Sequence, residues 1–229
     1  LLPEAVQRDA LRALAPDDIA DMIQQADDDQ RQLITSLLDA SASVEIRALL
    51  AYAEDAAGGL MNPRYARLRA DMTVSEAITY LRAQKRGNLE SIYYSYVVDA
   101  DQKLVGVISF RELVMASSSA KLRVVVATDL ITVLDTMDQE QVSEVFARAD
   151  LMCIPVVDTD GRMKGIVTAD DIVDVVKEEA TEDIHKLGGT EALDEPYLES
   201  RLHTLIQKRV GWLIILLVLG FVTVDLMSR

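Results

Sequence analysis

Apolar residues recur three and four apart through the front of the chain, which is the spacing of a helix face. Pro16-Asp17-Asp18 makes a helix start, an acidic first turn followed by Ile19, Met22 and Ile23 on one side. Leu33, Ile34, Leu37 and Leu38 form a second face, and Ile46, Leu49 and Leu50 a third. Gly58-Gly59 is expected to stop the last of these helices. The prediction up to about Asn62 is a small helical bundle or superhelix.

The pattern then changes to short apolar runs bounded by turn residues, and it occurs twice. Tyr96-Val-Val-Asp99 leads to Gly106, Ser109 and Glu112, and Pro155-Val-Val-Asp158 leads to Gly165, Thr168 and Asp171. The pairs 99 and 158, 106 and 165, 109 and 168, and 112 and 171 are all separated by 59 positions. Each copy predicts strand, turn, strand, then a helix opened by Ser109 or Thr168 with a carboxylate three residues on, as in a capping box. A helical stretch precedes each copy, at Val74–Leu81 and Val142–Ala147. The unit is therefore helix, strand, strand, helix, and two such units are expected to share a core.

Beyond the second copy the helix carries Asp171, Asp174, Glu178 and Glu182 along one face, with Glu179 and Asp183 beside it. Like charges at this spacing repel by a few tenths of a kcal/mol per exposed pair, and by more where a second acidic surface excludes water. Such a run is either a solvated face or a face whose repulsion a cation offsets. Further on, Val210–Val224 is an uncharged apolar run opened by Trp212 and preceded by Lys208 and Arg209. At about 15 residues it is shorter than a full span, and it reads as the start of a membrane helix with the upstream chain on the positive, cytosolic side.

Composition narrows the chemistry. The formal charge of -15 repels nucleic-acid phosphates and attracts cations, which argues against a nucleic-acid partner. The lone Cys153 sits in an apolar run, and His185 and His203 are too few for a zinc cluster. A metal here would be held by oxygen, which points to a hard cation. The chain has no nucleophile and base pairing, no P-loop and no dinucleotide fingerprint, so an enzyme is not expected. It does not begin with Met, and a preceding segment is expected.

The repeat resembles a tandem pair of CBS domains, a regulatory module. Three blocks around it resemble the MgtE family of magnesium channels: Glu54-Asp-Ala-Ala-Gly-Gly-Leu-Met61 before the pair, Glu179–Gly188 after it, and Lys208-Arg-Val-Gly-Trp-Leu213 at the membrane entry. The resemblance implies an α+β chain. A helical N domain (1–62) is followed by CBS unit 1 (63–120), CBS unit 2 (121–185), a connecting "plug" helix (186–209) and the start of the first transmembrane helix (210–229). It implies a homodimer through the CBS domains and plug helices in the inner (plasma) membrane of a bacterium, with this region cytoplasmic.

The resemblance further implies Mg²⁺ bridging acidic faces so that the pore closes when Mg²⁺ is abundant. Carried over by position, the donors are Asp17 and Asp21 of the N domain, Glu140 and Asp150 flanking the second unit's first helix, and Asp171, Asp174, Glu179, Glu182 and Asp183 after it. Gly59 and Ala147 would add backbone carbonyls. It also implies ATP in the CBS cleft, on Tyr94, Arg111 and the acid of the Ser-x-x-acid element. That acid is Glu112 here where the family pattern has Asp, and plain helix capping is the other reading of Ser109 and Thr168. The alternative function is an adenine-nucleotide-sensing CBS regulator of another membrane transporter or exporter.

Overall fold

The computed structural model describes residues 3–84 and 89–187, with the backbone alone at 178 and 182–187. The front portion is four ten-residue helices: α1 Glu4–Ala13, α2 Pro16–Gln25, α3 Asp28–Leu37 and α4 Ala40–Leu49. Their starts follow local chemistry. Pro16 opens α2, Asp27 and Gln30 close a capping box on α3, and Asp39 accepts from the Ala42 amide to cap α4.

Gly58 and Gly59 do not stop a helix as expected; they lie inside a short one, α5 Ala57–Leu60. A Cβ on Gly58 would stand 2.3 Å from the Tyr52 ring, and one on Gly59 would stand 2.5 Å from the Ala53 carbonyl oxygen. The glycines are needed for this close approach rather than for termination.

The two repeats follow. The first comprises β1 Arg67–Arg69, α6 Val74–Ala83, β2 Tyr94–Val98, β3 Leu104–Ser109, α7 Phe110–Met115 and α8 Leu122–Val125. The second comprises β4 Val133–Leu134, α9 Gln139–Ala149, β5 Cys153–Val157, β6 Met163–Thr168 and α10 Ala169–Leu187. Each forms a three-stranded sheet in which the first strand runs parallel to the second and the second antiparallel to the third. The leading strands β1 and β4 add to the expected unit; at three and two residues they are too short for an alternating pattern to reveal.

The 59-residue offset survives in the hydrogen-bond register. Val97 faces Gly106 and Val156 faces Gly165, with a register shift one residue later in both hairpins. The hairpins also touch at their turns, where Leu104 donates to the Gly161 carbonyl and Met163 to that of Gln102.

Three cores result. Leu68, Val97, Ile108 and Leu113 form that of the first repeat. A tyrosine pair, Tyr65 edge-on to Tyr96 with 5.8 Å between ring centroids, joins Val98, Met163 and Ile166 between the two repeats. The third core is continuous from the helical front, through Ile19, Ile46 and Leu49, into Val142, Phe146, Val156 and Val167 of the second repeat. α5 makes this junction, its Ala57 and Gly58 amides donating to the carbonyls of Met137 and Asp135. The helical front is thus fused to the second repeat.

The chain divides into two compact bodies, one ending at Val173 and the other starting at Asp174. Among the described residues no helix is long and apolar enough to cross a membrane. The expected run at 210–229, and the connecting helix beyond Leu187, lie outside the described residues.

Candidate functional site, a knot of carboxylates around Asn62

The fused junction brings acids from distant parts of the chain against one neutral donor. Asn62, fully buried after α5, is fixed by backbone hydrogen bonds in both directions with Ile166 of β6 (2.7 and 3.0 Å). Its side-chain amide donates to Asp17 Oδ1 at 2.9 Å and to Glu90 Oε2 at 2.7 Å, while its Oδ1 accepts from the Arg64 amide. Both amide hydrogens are therefore committed to carboxylates. Asp17 sits in the first turn of α2 and is only 7% exposed.

Among the described residues no ion pair joins Asp17, Glu90 or Asp171 to a base, and Arg64 is engaged with Glu45 at 2.9 Å. Loss of water, then the charges of Asp171 and Glu90, push the Asp17 carboxyl up to about 8. Glu90, still open to solvent, is raised first by partial loss of water and then by Asp171, Asp170 and Asp18, with Arg64 pulling the other way. Asp171 is raised chiefly by burial, although its Oδ2 accepts from the Thr168 amide (3.1 Å) and hydroxyl (2.5 Å) at the start of α10.

All of these donors are hard oxygens, and loss of water is the largest cause of each upward shift, with neighbouring carboxylates adding to it. The set fits a hydrated hard cation. Among the described residues, no three His, Cys, Asp or Glu side chains converge closely enough to hold a metal directly. The fit is to an ion that keeps its water, not to an inner-sphere cage.

A second site lies between the repeats, a cavity of about 180 Å³ lined by Tyr94, Tyr96, Ser109, Glu112, Asp129 and Cys153 among others. Ser109 and Glu112 form the predicted capping box, Glu112 Oε2 accepting from the Ser109 amide (2.9 Å) and hydroxyl (2.7 Å). These bonds, the hydroxyl's first, hold Glu112 below the usual carboxylate range. Tyr96 is 1% exposed, and its hydroxyl is buried with no hydrogen-bond partner among the described residues. Burial pushes that phenol up.

Residues 2–55 match the MgtE intracellular N domain, and residues 57–119 and 122–178 match the CBS domain. The magnesium transporter MgtE of Thermus thermophilus is 41% identical over 215 residues, covering 93% of this chain and 48% of that protein. The chain belongs to the MgtE family. The Bacillus subtilis magnesium transporter MgtE is 32% identical over 219 residues, covering 96% of this chain and again 48% of the relative. The chain thus spans about half the length of these MgtE proteins, which are transporters and not enzymes. A crystal structure of the cytosolic domain of the Mg²⁺ channel MgtE in complex with ATP superposes with a TM-score of 0.72 at 40% identity. The match covers 76% of this chain and 71% of that one.

Of the acids carried over from the MgtE resemblance, Asp17 and Asp171 are brought together in the knot. Asp21 is exposed one turn further along α2. Gly59 is buried in α5, which packs on α9. Glu140 and Ala147 are exposed two turns apart on α9, and Asp150 ends that helix in the left-handed region at φ 55°. In the second body Asp174 is exposed and paired with Lys177 at 2.7 Å, and Glu179 is half-buried. The side chains of Glu182 and Asp183 lie outside the described residues.

In the cleft between CBS units, Tyr94 and Glu112 line the cavity together, while Arg111 is exposed on α7 and does not line it. Sequence reasoning missed Asn62, Glu90, Asp18 and Asp170. The doublets Asp17-Asp18 and Asp170-Asp171 were a usable signal, because acids are favoured in the first turn of a helix, where they sit near whatever packs against that end.

Proposed function

We propose that this chain is the cytosolic Mg²⁺-sensing and gating region of a Mg²⁺-selective channel in the inner membrane of a bacterium. One observation carries the reading: at the fused junction the buried Asn62 amide holds the carboxyl groups of buried Asp17 at 2.9 Å and of Glu90 at 2.7 Å, with Asp171 near enough to push Asp17 further up. A carboxylate in that position is stable only if it is protonated, moved apart from its neighbours or neutralised. Bound Mg²⁺ supplies a divalent positive centre that retains several waters and so bridges carboxylates from separate elements.

Asp17, Asp21, Gly59, Glu140, Ala147, Asp150 and Asp171 are the proposed oxygen donors of the larger body. Asp174, Glu179, Glu182 and Asp183 are those of the second. When counter-charge is scarce these acids repel, and the elements bearing them separate. When it is abundant the acids stay together, and the compact arrangement holds the plug helices over a closed pore. Only the difference in affinity between the two arrangements shifts the population, and a swing from 1:99 to 99:1 needs about 10⁴-fold. Several bridges acting together supply it.

The working form is a homodimer. Phe110, Val114 and Met115 on α7 and Val124 on α8 leave an apolar surface exposed, Met115 by 81%. This is the kind of face that a second copy covers. ATP in the cleft between CBS units is a second ligand, supported by the orphaned Tyr96 hydroxyl. At about 180 Å³ the cavity seats a ring rather than a whole nucleotide. The sugar would then meet Ser109 and Glu112 at the rim.

Limited proteolysis over a Mg²⁺ titration tests the gating reading. Cleavage between α4 and α5 is expected to slow as Mg²⁺ rises from submillimolar to tens of millimolar. An unchanged cleavage pattern over that range rejects it.

A further inference from the structure

Fusing the helical domain to the second CBS unit leaves an open cleft against the first, and its charge is opposite to that of the molecule. The chain carries 38 acids against 23 lysines and arginines, yet this void of about 600 Å³ is lined by Arg8, Arg12, Arg64 and Arg67 and only two acids, Asp39 and Glu45. Both acids are occupied. Asp39 caps α4 through the Ala42 amide at 2.9 Å, and Glu45 is paired with Arg64.

Arg67 has no carboxylate partner among the described residues, and it is held in place. Its Nη1 donates to Gln102 Oε1 at 2.7 Å, its Nη2 donates to the Tyr65 hydroxyl at 2.9 Å, and its guanidinium lies 5.0 Å over the Tyr65 ring. On the opposite wall Arg8 holds Glu4 at 2.8 Å and Arg12 reaches Asp9 only at 3.7 Å, both on exposed turns of α1. Such exposed pairs are weak and yield readily to a better anion. Between the walls stand Leu11, Leu37 and Leu81 with the Tyr80 ring, which is 42% exposed. Guanidinium forks suit phosphate oxygens, and an apolar wall with an open aromatic suits a planar ring. The volume lies within the about 300–1,000 Å³ of small-ligand sites.

We propose that this cleft binds a nucleotide-class polyanion, its phosphates on Arg8, Arg12 and Arg67 and its ring against Tyr80 and the leucines. None of the lining residues belongs to the cavity between the CBS units. The ligand would tie α1 to β1 and so clamp the helical domain to the first CBS unit, independently of the carboxylate knot.

The test is calorimetry on the full chain in detergent with EDTA, using ATP and sodium tripolyphosphate as separate probes. The background is Tyr94→Ala/Glu112→Ala, which disables the other cavity. ATP is expected to bind, at least tenfold more tightly than tripolyphosphate. Arg12→Gln/Arg67→Gln is expected to weaken both at least tenfold, with Arg67→Lys in between and the same melting temperature. Unaltered ATP affinity in Arg12→Gln/Arg67→Gln, or no ATP binding in the Tyr94/Glu112 background, overturns the site. Equal affinity for the two probes overturns the nucleotide assignment. These outcomes are read without Mg²⁺ and leave the gating proposal to its own test.

Discussion

Asp17 is ionised in the unfolded chain above pH 3.8 but in the folded chain only above about 8. Between those values the folded state holds a proton that the unfolded state has lost. The stability tied to this group is therefore complete below pH 3.8 and drains away as pH climbs to about 8, at roughly 1.4 kcal/mol per pH unit for one proton. Glu90 and Asp171 are shifted upward too and add slopes of the same sign. Asp17→Asn keeps the shape and still presents an oxygen to the Asn62 amide, but it has no proton to lose. Urea midpoints in EDTA from pH 5 to pH 8 should fall steeply for the parent chain and distinctly less for Asp17→Asn. Parallel curves would mean that the carboxylate is hydrated and carries no burial penalty.

At the scale of elements the knot depends on how closely α5 and its exit segment lie on β6. A Cβ on Gly165 would stand 2.8 Å from the Asn62 carbonyl oxygen and 2.9 Å from the Met61 side chain, so the backbone bridge between Asn62 and Ile166 has no room for one. Gly161, in the turn before β6, has φ +81° and nothing within 4 Å, so alanine there meets strain but no clash. Gly165→Ala is expected to cost about 2–3 kcal/mol, Gly161→Ala about 1–2, both read from urea midpoints. Only Gly165→Ala should also reduce the response to Mg²⁺, because it displaces Asn62 from Asp17 and Glu90. The same elements show what could be read in advance. The repeat, its capping boxes and its hairpins were legible because they depend on spacing and cap chemistry within a few residues. The short leading strands and α5 were not, since their stability comes from partners far along the chain. Glu90 was hidden for a related reason. The stretch between α6 and β2, residues 84–93, is longer than its counterpart at 150–152, and nothing local says where the extra residues go.

For the whole molecule the question is whether Mg²⁺ acts through the knot or merely screens a surface of net charge -15. Screening depends on ionic strength and serves every exposed acid alike, with a reach of about 10 Å at 0.1 M salt. Bridging requires particular carboxylates and adds RT ln(1 + [L]/Kd), about 2.7 kcal/mol when the ion stands at a hundred times its Kd. At matched ionic strength, then, MgCl₂ should raise the melting temperature of the parent chain more than NaCl does. Asp17→Asn and Asp171→Asn should each shrink that excess, and the double variant should shrink it by less than the sum of the two. Residues that share one ion are coupled, whereas independent surface acids are additive within about 0.3–0.5 kcal/mol. Additive losses, or an excess that survives both substitutions, would move the Mg²⁺ response out of the knot and leave Asp17 as a buried acid that simply stays protonated. A non-additive loss places the divalent ion between helical domain and CBS pair, at the junction where Asp17 of the first meets Asp171 of the second.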